Sequence, residues 1–328
     1  MDDSWGDGPL ENDEAVDWLR SLEPNEAYQL ALSGKLPWTD AIEIFKKDPE
    51  IADQFAYAIR GRFLEAEEFI KTNPAMAVRY ARNIIGKRFP EAEEFIKKDP
   101  IYAFSYAQEI IKGRFLQAEE FIKTNPIYAC SYAINILKGR FVEAEEYIKK
   151  EPRTALSYAQ QVIRGRFPEA EEFIKKDPHS AYKYAKEVIK GRWEEAEEFI
   201  KKDIDFSYKY AKDVIKGRWS EAEEKIKKDP QYAYFYAKEV IKGRFLEAEE
   251  FIKKSFCFAF DYAEDVIKGR WEEAEELILN GKKNSLEYCL LHSVRLPEAV
   301  HNKIMAEVAF GNKVPNLDLK KKYMNRTK

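Results

Sequence analysis

The chain repeats itself every 26 residues. An arginine followed by Phe or Trp stands at Arg62, Arg88, Arg114, Arg140, Arg166, Arg192, Arg218, Arg244 and Arg270, with no insertion or deletion between them. A unit this short cannot bury a core by itself, so each must lie against the next in one constant geometry. A single added residue would change the surface it offers its neighbour.

With the arginine taken as position 0, position −15 holds Asn73, Asp99, Asn125, Asp177, Asp203, Asp229 or Ser255, and −14 is usually proline, as at Pro100 and Pro126. A short polar side chain that accepts from free backbone N–H groups, followed by proline at the first helical position, marks a helix start. Apolar residues then recur at −11, −8, −7, −4 and −3, as in Ala103, Tyr106, Ala107, Ile110 and Ile111. That is the spacing of one helical face. Lysine at −2 and glycine at −1, as in Lys112-Gly113, predict the helix end, with a cation in the last turn and the glycine taking the left-handed conformation just after it. A second helix follows, apolar at +1, +4, +7 and +8 (Phe115, Ala118, Phe121, Ile122), with glutamate at +5 and +6 throughout and lysines at its end. Helices of about twelve and ten residues are marginal alone in water, so stacking must hold them.

The pattern predicts an all-α protein, an α-solenoid of about nine regular two-helix repeats with diverged caps at both ends. Pro37-Trp38-Thr39-Asp40-Ala41 with Lys46-Lys47-Asp48-Pro49 reads as a repeat displaced by one residue, and Arg295-Leu296-Pro297-Glu298-Ala299 as another. The repeat domain spans residues 27–312. Residues 1–26 form an acidic segment, nine acids against Arg20, and residues 313–328 a basic tail, six Lys or Arg against Asp318. The first dozen residues and Lys320-Lys321-Lys322 are expected to be mobile. At a helix-packing distance of about 8–10 Å per repeat, the expectation is a monomeric curved rod on the order of 90–110 Å long.

Composition excludes other classes. With 45% hydrophobic and 35% charged residues the chain can fill a core and is not disordered. No stretch of eighteen uncharged apolar residues occurs, and the first residues are acidic where a secretory signal is basic and then apolar, so no membrane partner is expected. Cys130, Cys257 and Cys289 are too few and too irregularly spaced for a disulfide framework or a zinc site, which points to a reducing, cytoplasmic setting.

Catalysis finds little to work with, and neither enzyme activity, cofactor nor metal is expected. His179 follows a helix-start proline, and His292 and His301 fall in the C-terminal cap. The glycines occur singly at helix ends and form no phosphate loop. Asp203 and Asp205 could suggest a metal, but Asp203 occupies the N-cap position of its repeat. Cys130 stands at −10, filled elsewhere by Phe104, Leu156 and Tyr182, and reads as core. The paired glutamates read as a solvated helix face. The arginine ladder reads as structural, each arginine pairing with glutamates of its own or the adjacent repeat, although a spacing of about 8–10 Å could also follow phosphates.

Function is better sought where the units differ. Positions −9, −6, −5 and −2 share one polar face of the first helix. In the middle of the array this face is weakly polar (Ser105, Gln108, Ser131, Ile134, Ser157, Gln160). It then turns basic at Lys183, Lys186, Lys190, Lys209, Lys212, Lys216, Lys238 and Lys242, the candidate partner-binding residues. Lys225, where other repeats have Phe or Tyr, is expected to thin the core beside them. The face suits an acidic or polar segment of another protein. The alternative is nucleic acid or an anionic nucleotide held by the lysines and the arginine ladder; a solvated surface without a ligand also stays open. The net charge of −4 and the absence of exposed aromatic residues interleaved with the lysines weigh against sequence-specific RNA binding.

Short paired helices in tandem resemble the α-solenoid superclass of tetratricopeptide, Sel1-like and pentatricopeptide repeats, over residues 27–312. The tetratricopeptide unit is about 34 residues long and carries a different signature. The resemblance therefore implies architecture and no ligand residue. The consensus Tyr-Ala, Val-Ile-Lys-Gly-Arg-Phe and Glu-Ala-Glu-Glu-Phe-Ile is also similar to that of repeat proteins encoded by large tailed bacteriophages, which implies no activity.

Overall fold

The computed structural model describes residues 18–280, 285–292, 297–298 and 301–302. Among these the chain is helical, with no strand, and it divides into two compact units, residues 1–170 and 171–328. Within each unit, successive repeats lay a first and a second helix side by side in an all-α solenoid stack. Residues 1–17 of the acidic segment, the basic tail 313–328, and Arg295, Leu296 and Ala299 of the C-terminal cap lie outside the described residues.

The first helix of the repeat containing Arg114 starts at Asp99, whose carboxylate accepts from the N–H groups of Ile101 and Tyr102 at 2.9 and 3.4 Å. Asn73, Asn125, Asp203 and Asp229 cap in the same way, whereas Glu151 and Ser255 make no side-chain cap. Pro100–Tyr106 is α-helical. The chain then widens over Ala107–Ile111 into a π turn, where the N–H of Lys112 reaches back five residues to the Ala107 carbonyl. The same α-then-π sequence recurs in every repeat from Pro74 to Ile267, for instance at Ala81–Ile85, Ala133–Leu137 and Ala211–Ile215. The earlier helix Pro49–Ile59 is α-helical throughout. Its cap Asp48 lies twelve positions before the left-handed Arg60, whereas Asp99 lies thirteen before Lys112. A π turn is how a helix absorbs one extra residue. The one-residue displacement of the N-terminal repeat is thus the absence of that residue.

The first helices that end between Arg60 and Lys268 do so on a left-handed residue, but not on the glycine at −1 that the sequence suggests. Arg60, Lys112, Lys138, Arg164, Lys190, Lys216, Lys242 and Lys268, all at −2, have φ between 51° and 62°. The glycine at −1 instead sends its N–H back to the helix, as from Gly113 to the Ala107 carbonyl at 3.2 Å. Where the order is reversed, in Gly86-Lys87, glycine holds the left-handed position, with φ 68°, as Gly34 does before Lys35 in the N-terminal cap, with φ 71°. A side chain there costs on the order of 1–2 kcal/mol through the crowding of Cβ against the backbone.

The second helix buries Phe115, Ala118 and Ile122 and their counterparts completely or nearly so. Position +7 is only half-buried in Phe69, Phe95 and Phe121 and is exposed in Tyr147. Lys225 at that position therefore does not thin the core: it lies outward and meets the Lys202 carbonyl, while Trp219 and Ile226 stay buried. The seam between repeats is made by tyrosine at −8, wholly buried from Tyr80 through Tyr288. The ring of Tyr158 packs 5.7 Å from Phe167 in its own repeat, and its hydroxyl accepts the Phe141 N–H of the preceding repeat at 2.7 Å. Tyr288 accepts from Trp271 in the same manner at 2.8 Å, so Ser285–His292 is the first helix of one more repeat.

Candidate binding surface

The arginine ladder belongs to this seam. Arg140 grips Glu145 with two parallel bonds, Nε to Oε1 at 2.7 Å and Nη2 to Oε2 at 2.6 Å. The hydroxyl of Tyr158, in the next repeat, donates to the same Glu145 Oε1 at 2.9 Å while accepting from Phe141. The fork recurs at Arg62, Arg88, Arg114, Arg192, Arg218, Arg244 and Arg270, each with the glutamate five residues on. Burial pushes the Glu119 carboxyl up, but the bonds from Arg114 and Tyr132 outweigh it and hold it below the usual range. The arginine planes are thus already engaged by carboxylates, as bidentate geometry favours.

The paired glutamates are not one solvated face. Those at +5 are nearly buried, Glu145 showing 13% of its side chain, and they belong to the seam. Those at +6 are solvated, Glu146 showing 73%, and pair with lysine three residues on, as Glu146 does with Lys149 at 2.8 Å. Two adjacent residues of one type therefore have separate roles, because a helix turns about 100° between them.

The first-helix face of residues 171–280 carries the eight candidate lysines, and the structure sorts them. Lys186 bonds Asp213 of the next repeat at 2.7 Å, and Lys238 bonds Asp265 at 2.8 Å; Lys212 meets Glu239 in the same arrangement. A tyrosine four residues earlier joins each pair: Tyr182 donates to Asp213 at 2.5 Å and Tyr208 to Glu239 at 2.6 Å, and Tyr234 reaches Asp265. The bonds to Asp213 and Asp265 hold the Lys186 and Lys238 ammonium groups above the ordinary lysine range. Burial raises the Asp213 carboxyl, but Lys186 and Tyr182 more than reverse this and leave it low. These three lysines lace repeat to repeat, each from −6 to the acid at −5 of the following repeat. Lys209 pairs with Asp205 within its own helix at 2.6 Å, which also settles Asp205 as an ion-pair partner while Asp203 caps the helix. Lys183 is half-buried on the same face.

Lys190, Lys216 and Lys242 are different. They occupy the left-handed −2 position, are exposed, and have no carboxylate partner among the described residues. Lys216 and Lys242 border a shallow open groove of about 380 Å³ between successive first helices, together with the Lys186–Asp213 and Lys212–Glu239 pairs. Lys242 also borders the next groove, of about 280 Å³, with Lys268 and the Lys238–Asp265 pair. Lys268 belongs to this set although it falls outside the stretch that stands out by charge. Its signal in the sequence is the −2 column alone.

Among the described residues no three His, Cys, Asp or Glu side chains gather as a metal site, and no helix is long and apolar enough to cross a membrane. His292 is bonded to Glu264 at 2.5 Å, and Cys130 is buried as its column suggests. No family model matches the chain, and neither a curated protein nor a solved structure matches it at a significant level.

Proposed function

We propose that the chain is a non-enzymatic binding scaffold whose first-helix face engages another protein through an acidic or polar segment. The division of labour within each repeat carries this reading. The residues that recur (arginine, the +5 glutamate, the −8 tyrosine and the +1 aromatic) are spent on the seam. The residues that vary lie on the first-helix face, and a stack needs sameness where a binding face does not. The buried thiols of Cys130 and Cys289, pushed up to about 11 and about 12 by burial, are inert at neutral pH and suit the reducing cytoplasm that belongs to the same proposal. So does a place beside tetratricopeptide-type scaffolds and phage repeat proteins, which the repeat resembles.

Nucleic acid is the second reading, favoured by the exposed cations at −2. Against it, the exposed large apolar residues among the described positions after 171 are Leu246, Phe256, Leu277 and Leu291, away from the −6 and −2 columns, so bases would find no aromatic platform there. The test is to immobilise the full chain and compare retention of lysate proteins, single-stranded RNA and duplex DNA at two salt concentrations, identifying proteins by mass spectrometry. One enriched protein, held less well at high salt, is the expected result. Retention of nucleic acid with no enriched protein would overturn the reading.

A further inference from the structure

The −2 cations stand in a conformation that works against them. Left-handed backbone belongs to glycine, and a glycine is next door at −1 in eight of the nine repeats. That neighbouring glycine is not needed where it stands. A Cβ added to Gly113, Gly191, Gly217, Gly243 or Gly269 would meet nothing within 4 Å, and none of these five has φ in the left-handed range. The reversed order Gly86-Lys87 gives the backbone what it prefers with the same two residues, and among the nine regular repeats it occurs once. Strain repeated in this way, at exposed residues with no carboxylate partner among the described residues, marks a position kept for what its side chain reaches.

What Lys216, Lys242 and Lys268 reach is the pair of grooves, where the other lysines are already neutralised by Asp213, Glu239 and Asp265. Each groove is left with two uncompensated cations, and Lys242 serves both. We infer that Lys190, Lys216, Lys242 and Lys268 form a one-rung-per-repeat ladder that binds an extended acidic segment of a partner protein. The inference rests on the scaffold reading and names its site and ligand chemistry. Repeats advance by about 8–10 Å, and a polyproline II strand completes a turn of three residues in about 9 Å. A segment with an acidic residue at every third position therefore presents one carboxylate to each rung. Carboxylates bunched together, with the same total charge, do not.

The experiment measures fluorescence anisotropy of the full chain with two labelled peptides of equal composition, four Pro-Pro-Glu units and an isomer with its four glutamates consecutive, and with oligo-dT. The spaced peptide should bind more tightly than the isomer. Replacing Lys190, Lys216, Lys242 and Lys268 together by glycine should weaken it by about tenfold or more, while the melting temperature stays level or rises because the left-handed positions are relieved. A structural role for these lysines would instead lower the melting temperature. If the fourfold variant keeps full affinity, the ladder is wrong and the scaffold reading stands on another surface. Equal affinity for the two peptides overturns the register argument, and oligo-dT binding that alone is lost in the variant assigns the ladder to nucleic acid. If the unaltered chain binds none of the three, the ladder falls, and the lysate experiment alone judges the scaffold reading.

Discussion

A hydroxyl decides how these repeats hold together. Tyr158 closes a circuit of four groups: it accepts a hydrogen bond from the Phe141 N–H, donates one to Glu145, and so sits beside the carboxylate that Arg140 holds from the other side. Tyr158→Phe keeps the ring but leaves a buried N–H without an acceptor, a loss of about 1–3 kcal/mol. Arg140→Ala exposes Glu145 to an uncompensated site, but the guanidinium is half in solvent, so screening reduces its effect to the lower part of that range or below. Chemical denaturation of both single variants and the double variant should show Tyr158→Phe as the larger loss and the two effects as non-additive, because both act on one carboxylate. Additive losses would mean that the tyrosine and the arginine stabilise the stack separately.

At the scale of the element, the first helix is longer by one residue than an α-helix can fit between its cap and its left-handed end. Pro49–Ile59 does the same job without the extra residue, so the π turn is tolerant of a deletion in a way the second helix is not. Gln108 and Gln117 are exposed glutamines of the same repeat, one in the π turn and one in the second helix. Deleting Gln108 should restore a plain α-helix and cost little in melting temperature. Deleting Gln117 shifts Ala118 out of the core and breaks the five-residue spacing of the Arg114–Glu119 fork, and should melt far lower. Equal losses would show the π turn to be as constrained as the rest. The two-helix unit was legible because caps, periodicity and the 26-residue period all point the same way. The π turn was not, since an apolar face at −11, −8, −7, −4 and −3 suits either winding. The left-handed lysine was misplaced by one residue because glycine is the better former of that conformation, and among the regular repeats Gly86-Lys87 alone betrays the true position. Of the candidate face, the lysines were legible, but their pairing was not, because Asp213, Glu239 and Asp265 come from the following repeat.

For the whole molecule, one seam used again and again means that a weakness of the seam is multiplied. Its tyrosines are protonated by necessity. Burial raises the Tyr80 hydroxyl to about 12, with the Phe63 N–H pulling it down and Glu67 pushing it up. Burial likewise holds Tyr106, Tyr132, Tyr158, Tyr210, Tyr236 and Tyr262 well above the ordinary range. Tyr208 and Tyr234, beside Glu239 and Asp265, are raised to about 12 as well. An unfolded tyrosine titrates near pH 10. Between that value and the folded ones the unfolded chain has lost protons that the folded chain keeps. The stabilisation is therefore complete below about pH 10 and is lost as pH rises toward the folded values, each tyrosine adding up to about 1.4 kcal/mol per pH unit to the slope. With so many acting together, alkaline unfolding should be abrupt. Far-UV ellipticity and the part of the tyrosinate absorbance that belongs to the buried seam tyrosines, followed through the same titration, should change together above pH 10, because these hydroxyls ionise only as the seams open. Tyrosinate appearing near pH 10 in full while the ellipticity holds would show that solvent reaches the seam without unfolding, and the hydroxyl circuit would then not be what closes one repeat on the next.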